Sequence, residues 1–265
     1  MRFATIIPLC AAATIAACDG TTTPSSSLVS DDAIEGEVLA SAGDAVAAVL
    51  DFMSGNEAAS SLPGSQLRTD LPALTTSSLD VTRSRTCYDE SGAVLAACSP
   101  LAEIRKVVTE LTVDGTRSGS FVTRRNVSVN WSGAVHRTMD DTLTRNFTGE
   151  TEVSRTHSAL STGHDTSTFA DGTLNRTISE SIIDSVNAVT WNLPRSANPF
   201  PVSGSIVRVD SLHVIATRDA ETREREVVWT IRVTFPADAQ GNVPLQVNDK
   251  TCTLNLITRA VSNCQ

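Results

Sequence analysis

A mainly β chain, folded as a single antiparallel β domain with one N-terminal helix packed on it, is what three observations predict. From Leu79 onward apolar residues recur at two-residue spacing. The clearest case is 226–235, where Val227, Trp229, Ile231, Val233 and Phe235 share one face and Val228, Thr230, Arg232 and Thr234 the other. Turn residues punctuate the same region at hairpin spacing, among them Gly149, Asp171-Gly172, Asp219-Ala220, Gly241 and Asn248-Asp249. Only one stretch, 31–55, carries apolar residues at helical spacing. About ten strands fit this pattern, as an open curved sheet or half-barrel first and a β-sandwich second. The strands lack the continuous apolar faces of an outer-membrane barrel.

The elements begin with a leader. Arg2 supplies a positive start, and 3–17 is almost wholly apolar but shorter than the roughly 20 residues of a membrane span. Ile15-Ala16-Ala17-Cys18 follows. This order resembles the lipobox of bacterial lipoprotein signal peptides. The resemblance implies that residues 1–17 are removed and that Cys18, the acylation nucleophile, becomes a lipidated N-terminus. The protein is then held on a membrane of the bacterial cell envelope by acyl chains. The alternative is an ordinary signal peptide with an Ala-x-Ala cleavage site. Asp19 resembles an inner-membrane retention signal of enteric bacteria, a rule that does not transfer between phyla, so the choice of membrane stays open. Residues 18–30, with Asp19-Gly20-Thr21 and Pro24-Ser25-Ser26, read as a flexible polar tether. Residues 31–265 form the domain.

The chain of 265 residues has a formal net charge of −9, which argues against nucleic acid and anionic lipid surfaces as partners. With one Tyr, three Trp and seven Phe, it is poor in rings for a carbohydrate platform. Cys10 leaves with the leader and Cys18 is the lipidation site. The remaining Cys87, Cys98, Cys252 and Cys264 of an exported chain read as two disulfides with three possible connectivities. Spacing favours Cys87–Cys98 and Cys252–Cys264, each worth about 3 kcal/mol in the chain-entropy model. A metal site is not expected, because no Cys-x-x-Cys pair or neighbouring His is present.

In the helix, Ile34, Val38, Ala42, Val46, Val49 and Met53 make one apolar face. Ser41-Ala42-Gly43-Asp44 resembles a capping box, which would start the firm part near Gly43, and Gly55 is a stop. Residues 56–78 read as loop. Next, 81–88 and 93–99 form a hairpin with Cys87 facing Cys98 and Gly92-Ala93 at the turn. A strand over 103–113 ends at Asp114-Gly115, and 120–132 alternates with Val127, Val129 and Trp131 on one side. The region 134–180 is a sparsely apolar meander with turns at Asp140-Asp141, Gly149, Gly163 and Asp171-Gly172. After a strand at 182–191, the proline-rich 192–202 is a crossover. In 206–217 the apolar phase slips from Val207 and Val209 to Leu212 and Val214, which predicts a bulge near Asp210-Ser211. Strands at 226–235, 243–247 and 251–257 complete the sheet, and Cys264 staples the chain end.

Chemistry is thinly signalled. The histidines are His136, His157, His164 and His213. His157, His164 and Asp165 are the only clustered candidates. On a hairpin turning at Ser161-Thr162-Gly163, Leu160 faces His164 and His157 faces Ser167, so the imidazoles do not converge on a metal. His164-Asp165 sets acid beside base, with no Ser or Cys tied to them. The Asp140-Asp141 pair is better read as a turn, because neighbours on a strand face opposite ways. Nucleophile-elbow, P-loop, dinucleotide and His-Glu-x-x-His motifs are missing. No catalytic residue, metal or cofactor is assigned. The expectation is a lipid-anchored envelope protein that binds or scaffolds envelope proteins without catalysis. The alternative is a carrier of a lipid or other apolar ligand, held between residues 38–53 and the Trp131 and Trp229 faces. A hydrolase using His164 and Asp165 ranks third.

Overall fold

Ten antiparallel strands follow one another in chain order, each hydrogen-bonded to its predecessor, and one α-helix precedes them. The computed structural model describes residues 31–58, 74–122, 128–171 and 173–265. Helix α1 spans Asp31–Ala58. The strands are β1 (Leu74–Tyr88), β2 (Lys106–Val122), β3 (Ser128–Thr148), β4 (Thr151–Ala170), β5 (Leu174–Asn192), β6 (Ser203–Arg218), β7 (Glu221–Thr234), β8 (Asn242–Val247), β9 (Lys250–Asn255) and β10 (Val261–Ser262). The sheet is open, with β1 and β10 as its edges. The leader and tether, Cys10 and Cys18 included, lie outside the described residues, as do 59–73 within the expected loop.

Several strands are much longer than the turn signals suggest. Asp114-Gly115 lies inside β2, paired with His136 and Val135 of β3. Asp140-Asp141 lies inside β3 and Gly163 inside β4, so neither is a turn. A side chain at 163 would meet Arg137 at 3.0 Å; this glycine gives Arg137 room to lie across the neighbouring strand. The strand expected over 120–132 is instead the end of β2 and the start of β3. The expected partner of β1 is also different: β2 pairs with it, and 89–99 is a loop held by a single bridge, Tyr88–Val94. Gly92 does adopt a positive φ of 81°, in a tighter turn capped by Asp89. Residues 193–202 connect adjacent strands rather than crossing over. The bulge expected near Asp210 is absent, since β6 keeps unbroken register with β7; the irregularity lies in β5 between Asn187 and Thr190, around Ala188 (φ 49°).

The turns at Gly149, Asp171, Asp219-Ala220, Gly241 and Asn248 occur where expected. Gly149, Asp219, Ala220, Gly241 and Asn248 hold positive φ there, while Asp171 accepts bonds from Thr173 and Leu174. Register places alternate residues on two faces. The outer face carries cross-strand threonine pairs, including Thr138–Thr162 (2.9 Å), Thr156–Thr190 (2.9 Å) and Thr217–Thr222 (3.0 Å). This ladder is where the chain's threonines go.

The inner face is covered by two different pieces. Over β5–β9 the cover is α1, whose Val38, Ala42, Val46, Val49 and Met53 join Trp191, Trp229, Ile231, Val233, Leu245 and Leu254 in one core. The helix is continuous through Gly43, not capped there. A Cβ at that position would come within 2.0 Å of the Arg259 carbonyl oxygen, so Gly43 is a point of close approach. Arg259 in turn reaches Asp44 and Asp51 of the helix. Trp131 stands outside this core.

Over β1–β4 the cover is the loop 89–105. The Cys87–Cys98 disulfide ties it down, and the Arg105 backbone N–H donates to Tyr88 O at 2.8 Å while its carbonyl accepts from Arg145 N at 2.8 Å. Ile104 is its buried anchor. The second disulfide, Cys252–Cys264, closes the chain end against β9. Two such bridges are compatible with maturation in an oxidising compartment. Among the described residues, no helix is long and apolar enough to cross a membrane.

Candidate functional site

The inner face is not uniformly apolar. Between the part covered by α1 and the part covered by the loop run charged side chains that the register lines up from strand to strand. Arg85 of β1 stands opposite Thr109 of β2, which stands opposite Asp141 of β3; one row along, Leu143 stands opposite His157 of β4, which stands opposite Val189 of β5. His157 and Asp141 are 0% and 1% exposed as side chains. The imidazole Nδ1 lies 3.1 and 3.2 Å from the two carboxylate oxygens, and the Trp191 ring meets His157 edge-on at 5.8 Å. Burial on this scale holds a carboxylate only if it is paired. Arg83 and Arg85 add cations beside Asp141. Burial pulls both guanidiniums below their ordinary range, with Asp141 countering and, for Arg83, the like charge of Arg85 adding to the fall.

Next to this dyad, under the disulfide, is a cavity of about 70 Å³. The sheet contributes Arg85, Cys87, Val107, Thr109, Asp141, Leu143, Arg145 and Arg155 to its lining, and the loop contributes Cys98, Leu101 and Ile104. Arg145 is fixed by Glu152 (3.0 and 2.7 Å) and by the carbonyls of Leu101 and Ile104. Arg155 shares the same carboxylate at 2.7 and 3.2 Å. Burial pushes the Glu152 carboxyl up, but the bonds from Arg145 and Arg155 outweigh it and hold it down at about 2. Arg145 and Arg155 are therefore held in place at the cavity.

Further along the face a second network centres on Arg208. Its Nε donates to Asp210 at 2.7 and 2.9 Å, and Asp184 and Glu180 each lie 3.6 Å away. Arg137 pairs with Asp165 at 2.5 Å beside it. Burial raises the carboxyls of Glu180, Asp184 and Asp210, while Arg208 opposes the shift. This network explains the phase slip in β6: Arg208 and Asp210 take inner positions between Ile206 and Leu212.

The residues singled out from sequence are dispersed. His157 is inward in the buried dyad, and β4 is continuous, so the hairpin placing it opposite Ser167 does not form; its cross-strand neighbours are Leu143 and Val189. His164 is exposed on the outer face, opposite His136, which bonds Asp114. Asp165 faces inward to Arg137, so His164 and Asp165 point to opposite faces. The Cys87–Cys98 and Cys252–Cys264 pairings are both present. Asp141 reads from sequence only as part of an Asp140-Asp141 turn, and Arg83, Arg85, Arg145, Arg155 and the Arg208 network carry no sequence-level site assignment. The one available signal was a charge at an inward-phase position of an otherwise apolar strand. No group of three or more metal-ligating side chains converges among the described residues. Comparison with protein-family models, with curated proteins and with solved structures finds no match.

Proposed function

We propose that the protein is a lipid-anchored binding module of the bacterial cell envelope, acting without catalysis and using the recess beneath the Cys87–Cys98 loop. The observation that carries the binding role is the recess itself. It has about 70 Å³ of space lined by Arg145 and Arg155, which Glu152 and backbone carbonyls hold in place, together with the Cys87–Cys98 bridge and aliphatic side chains. Such walls orient and hold a group. The anchor rests on Ile15-Ala16-Ala17-Cys18 and its resemblance to a lipobox, supported by the two disulfides.

The test is made on the full chain in membranes. Wild type partitions with the membrane fraction, and Cys18→Ser becomes soluble in the periplasm. A photo-crosslinking residue at Leu101, on the rim of the recess, traps a reproducible species. Membrane retention of Cys18→Ser unchanged from wild type rejects the anchor. A crosslinker at Leu101 that traps nothing, while one on the outer face does, rejects the recess as the binding surface.

A further inference from the structure

The register of the outer face assembles metal-ligand side chains that no stretch of sequence holds together. Asp80 of β1 stands opposite Asp114 of β2, Asp114 opposite His136 of β3, and His136 opposite His164 of β4. These four residues form one row across four strands, and all four are exposed. Within the row, His136 Nδ1 is hydrogen-bonded to the Asp114 carboxylate. The carboxylate takes the Nδ1–H, fixes that tautomer and leaves Nε2 with a free electron pair, as in carboxylate–histidine–metal sites. His164 has no polar partner among the described residues.

Directly opposite residues on paired strands have Cβ atoms about 4.5–5.5 Å apart. Two imidazole nitrogens at about 2.0–2.1 Å from one ion stand about 3.4 Å from each other. A turn of the exposed His164 ring about its side-chain bonds therefore brings both rings onto a shared ion. The charges agree with this. No Lys or Arg stands in this row across β1–β7, or in the next row on either side, whereas Asp80, Asp114 and Glu226 do. The neighbouring Thr138 and Thr162 bond each other at 2.9 Å and leave the imidazoles uncontested. We propose that this outer-face row binds a late first-row divalent cation of the Zn²⁺ and Cu²⁺ class. His136 Nε2 and a ring nitrogen of His164 are the ligands, Asp114 orients His136, and water fills the remaining positions. Imidazole ligands favour such a cation over Ca²⁺ or Mg²⁺, which take oxygen. The site lies on the opposite face from the recess and is independent of the binding role assigned there.

The test titrates the untagged full-length protein with Zn²⁺ by calorimetry. It carries Cys10→Ser and Cys18→Ser to remove thiols that would compete, and its other four cysteines are bridged. A single Zn²⁺ per chain is expected, with Ca²⁺ weaker by roughly 100-fold or more. Cu²⁺ in the same site shows nitrogen ligation by electron paramagnetic resonance. His136→Ala and His164→Ala each weaken Zn²⁺ by about 10-fold or more, and Asp114→Asn, acting through His136, by about 10-fold. His213→Ala, at the other histidine of the outer face, leaves the affinity unchanged. Thermal midpoints stay at the wild-type value because the three positions are exposed. His164→Gln, which keeps the size of the side chain, covers the case of an alanine variant that loses stability. Absence of saturable Zn²⁺ binding, unchanged binding in the His164 variants, an equal loss in His213→Ala, or Ca²⁺ binding as tightly as Zn²⁺ overturns the assignment.

Discussion

Replacing Arg208 by Met is the sharpest probe of the inner face, because it removes one cation from among three carboxylates, of which Asp184 and Asp210 are buried and Glu180 is half-buried. At the effective dielectric of about 20 that describes such sites, an opposite charge at 2.7 Å contributes roughly 6 kcal/mol and one at 3.6 Å roughly 4–5 kcal/mol. The desolvation of a guanidinium only 11% exposed opposes most of that sum. Removing one partner of such a network costs about 3–5 kcal/mol, the greater part being the carboxylates left behind. For a domain of this size that is a fall in Tm of roughly 6–20 °C. The sign of the pH dependence follows from the carboxyls of Glu180, Asp184 and Asp210, which burial already raises. Without Arg208 they rise further, and the folded state then holds protons that the unfolded chain has released. The deficit is therefore largest at pH 7.5 and shrinks as pH falls toward 5.5. Urea unfolding followed by tryptophan fluorescence at the two pH values measures it, and adding Asp210→Asn to Arg208→Met restores part of the loss. A loss below 1 kcal/mol, or one equal at both pH values, refutes the reasoning that Arg208 neutralises buried acids.

Three further outcomes follow from other parts of the molecule. Gly43→Val places side-chain atoms where the Arg259 carbonyl sits; α1 lifts off the sheet, and the loss exceeds the about 1–3 kcal/mol of ordinary overpacking in thermal unfolding. Glu152→Gln costs roughly 1–3 kcal/mol at pH 7 after discounting for partial exposure. Because the folded carboxyl is held down at about 2, the difference from wild type is full above the ordinary range near 4.5 and fades as pH falls to about 2, which denaturant curves at pH 7, 4 and 2.5 detect. Cys87→Ser with Cys98→Ser frees the loop 89–105. About 3 kcal/mol is lost, and hydrogen exchange rises at Arg105 and Arg145, whose amides bond to Tyr88 and to Arg105, more than on β9.

Strand alternation, hairpin turns with positive φ and the cysteine spacing were legible because each is a local property. Trp229, Ile231 and Val233 point inward as their two-residue spacing requires, and Asp219-Ala220 turns where the pattern breaks. The helix was legible for the same reason, although Gly43, read as part of a cap where the firm helix starts, is instead a mid-helix contact with Arg259. Strand length was not legible. Asp-Gly and Asp-Asp pairs signal turns on average, but at 114–115 and 140–141 the neighbouring strands continue and supply partners, and the ladder wins over the local preference. The recess and the Arg208 network were hidden for a different reason. Inward charges look like outward ones until register reveals which residues stand beside them.

That concealment has a geometric origin. A strand of 20 residues is about 66 Å long, and ten strands stand about 48 Å wide. A helix of 28 residues is about 42 Å long and about 10 Å across, and so covers only a fraction of one face. Where α1 lies, the inner face is apolar. Beyond it, no second helix or sheet is available among the described residues, and an apolar face there would be left open. Charged side chains that neutralise one another across strands can occupy such a face, since they tolerate both water and partial burial. Arg208 with Asp210, Asp184 and Glu180 meets that condition with acids in excess. The arginines around Asp141 and Glu152 meet it beneath a stapled loop, beside a cavity. The recess thus differs from the Arg208 network in having open space beside its charged side chains, under a loop tied down by the Cys87–Cys98 bridge.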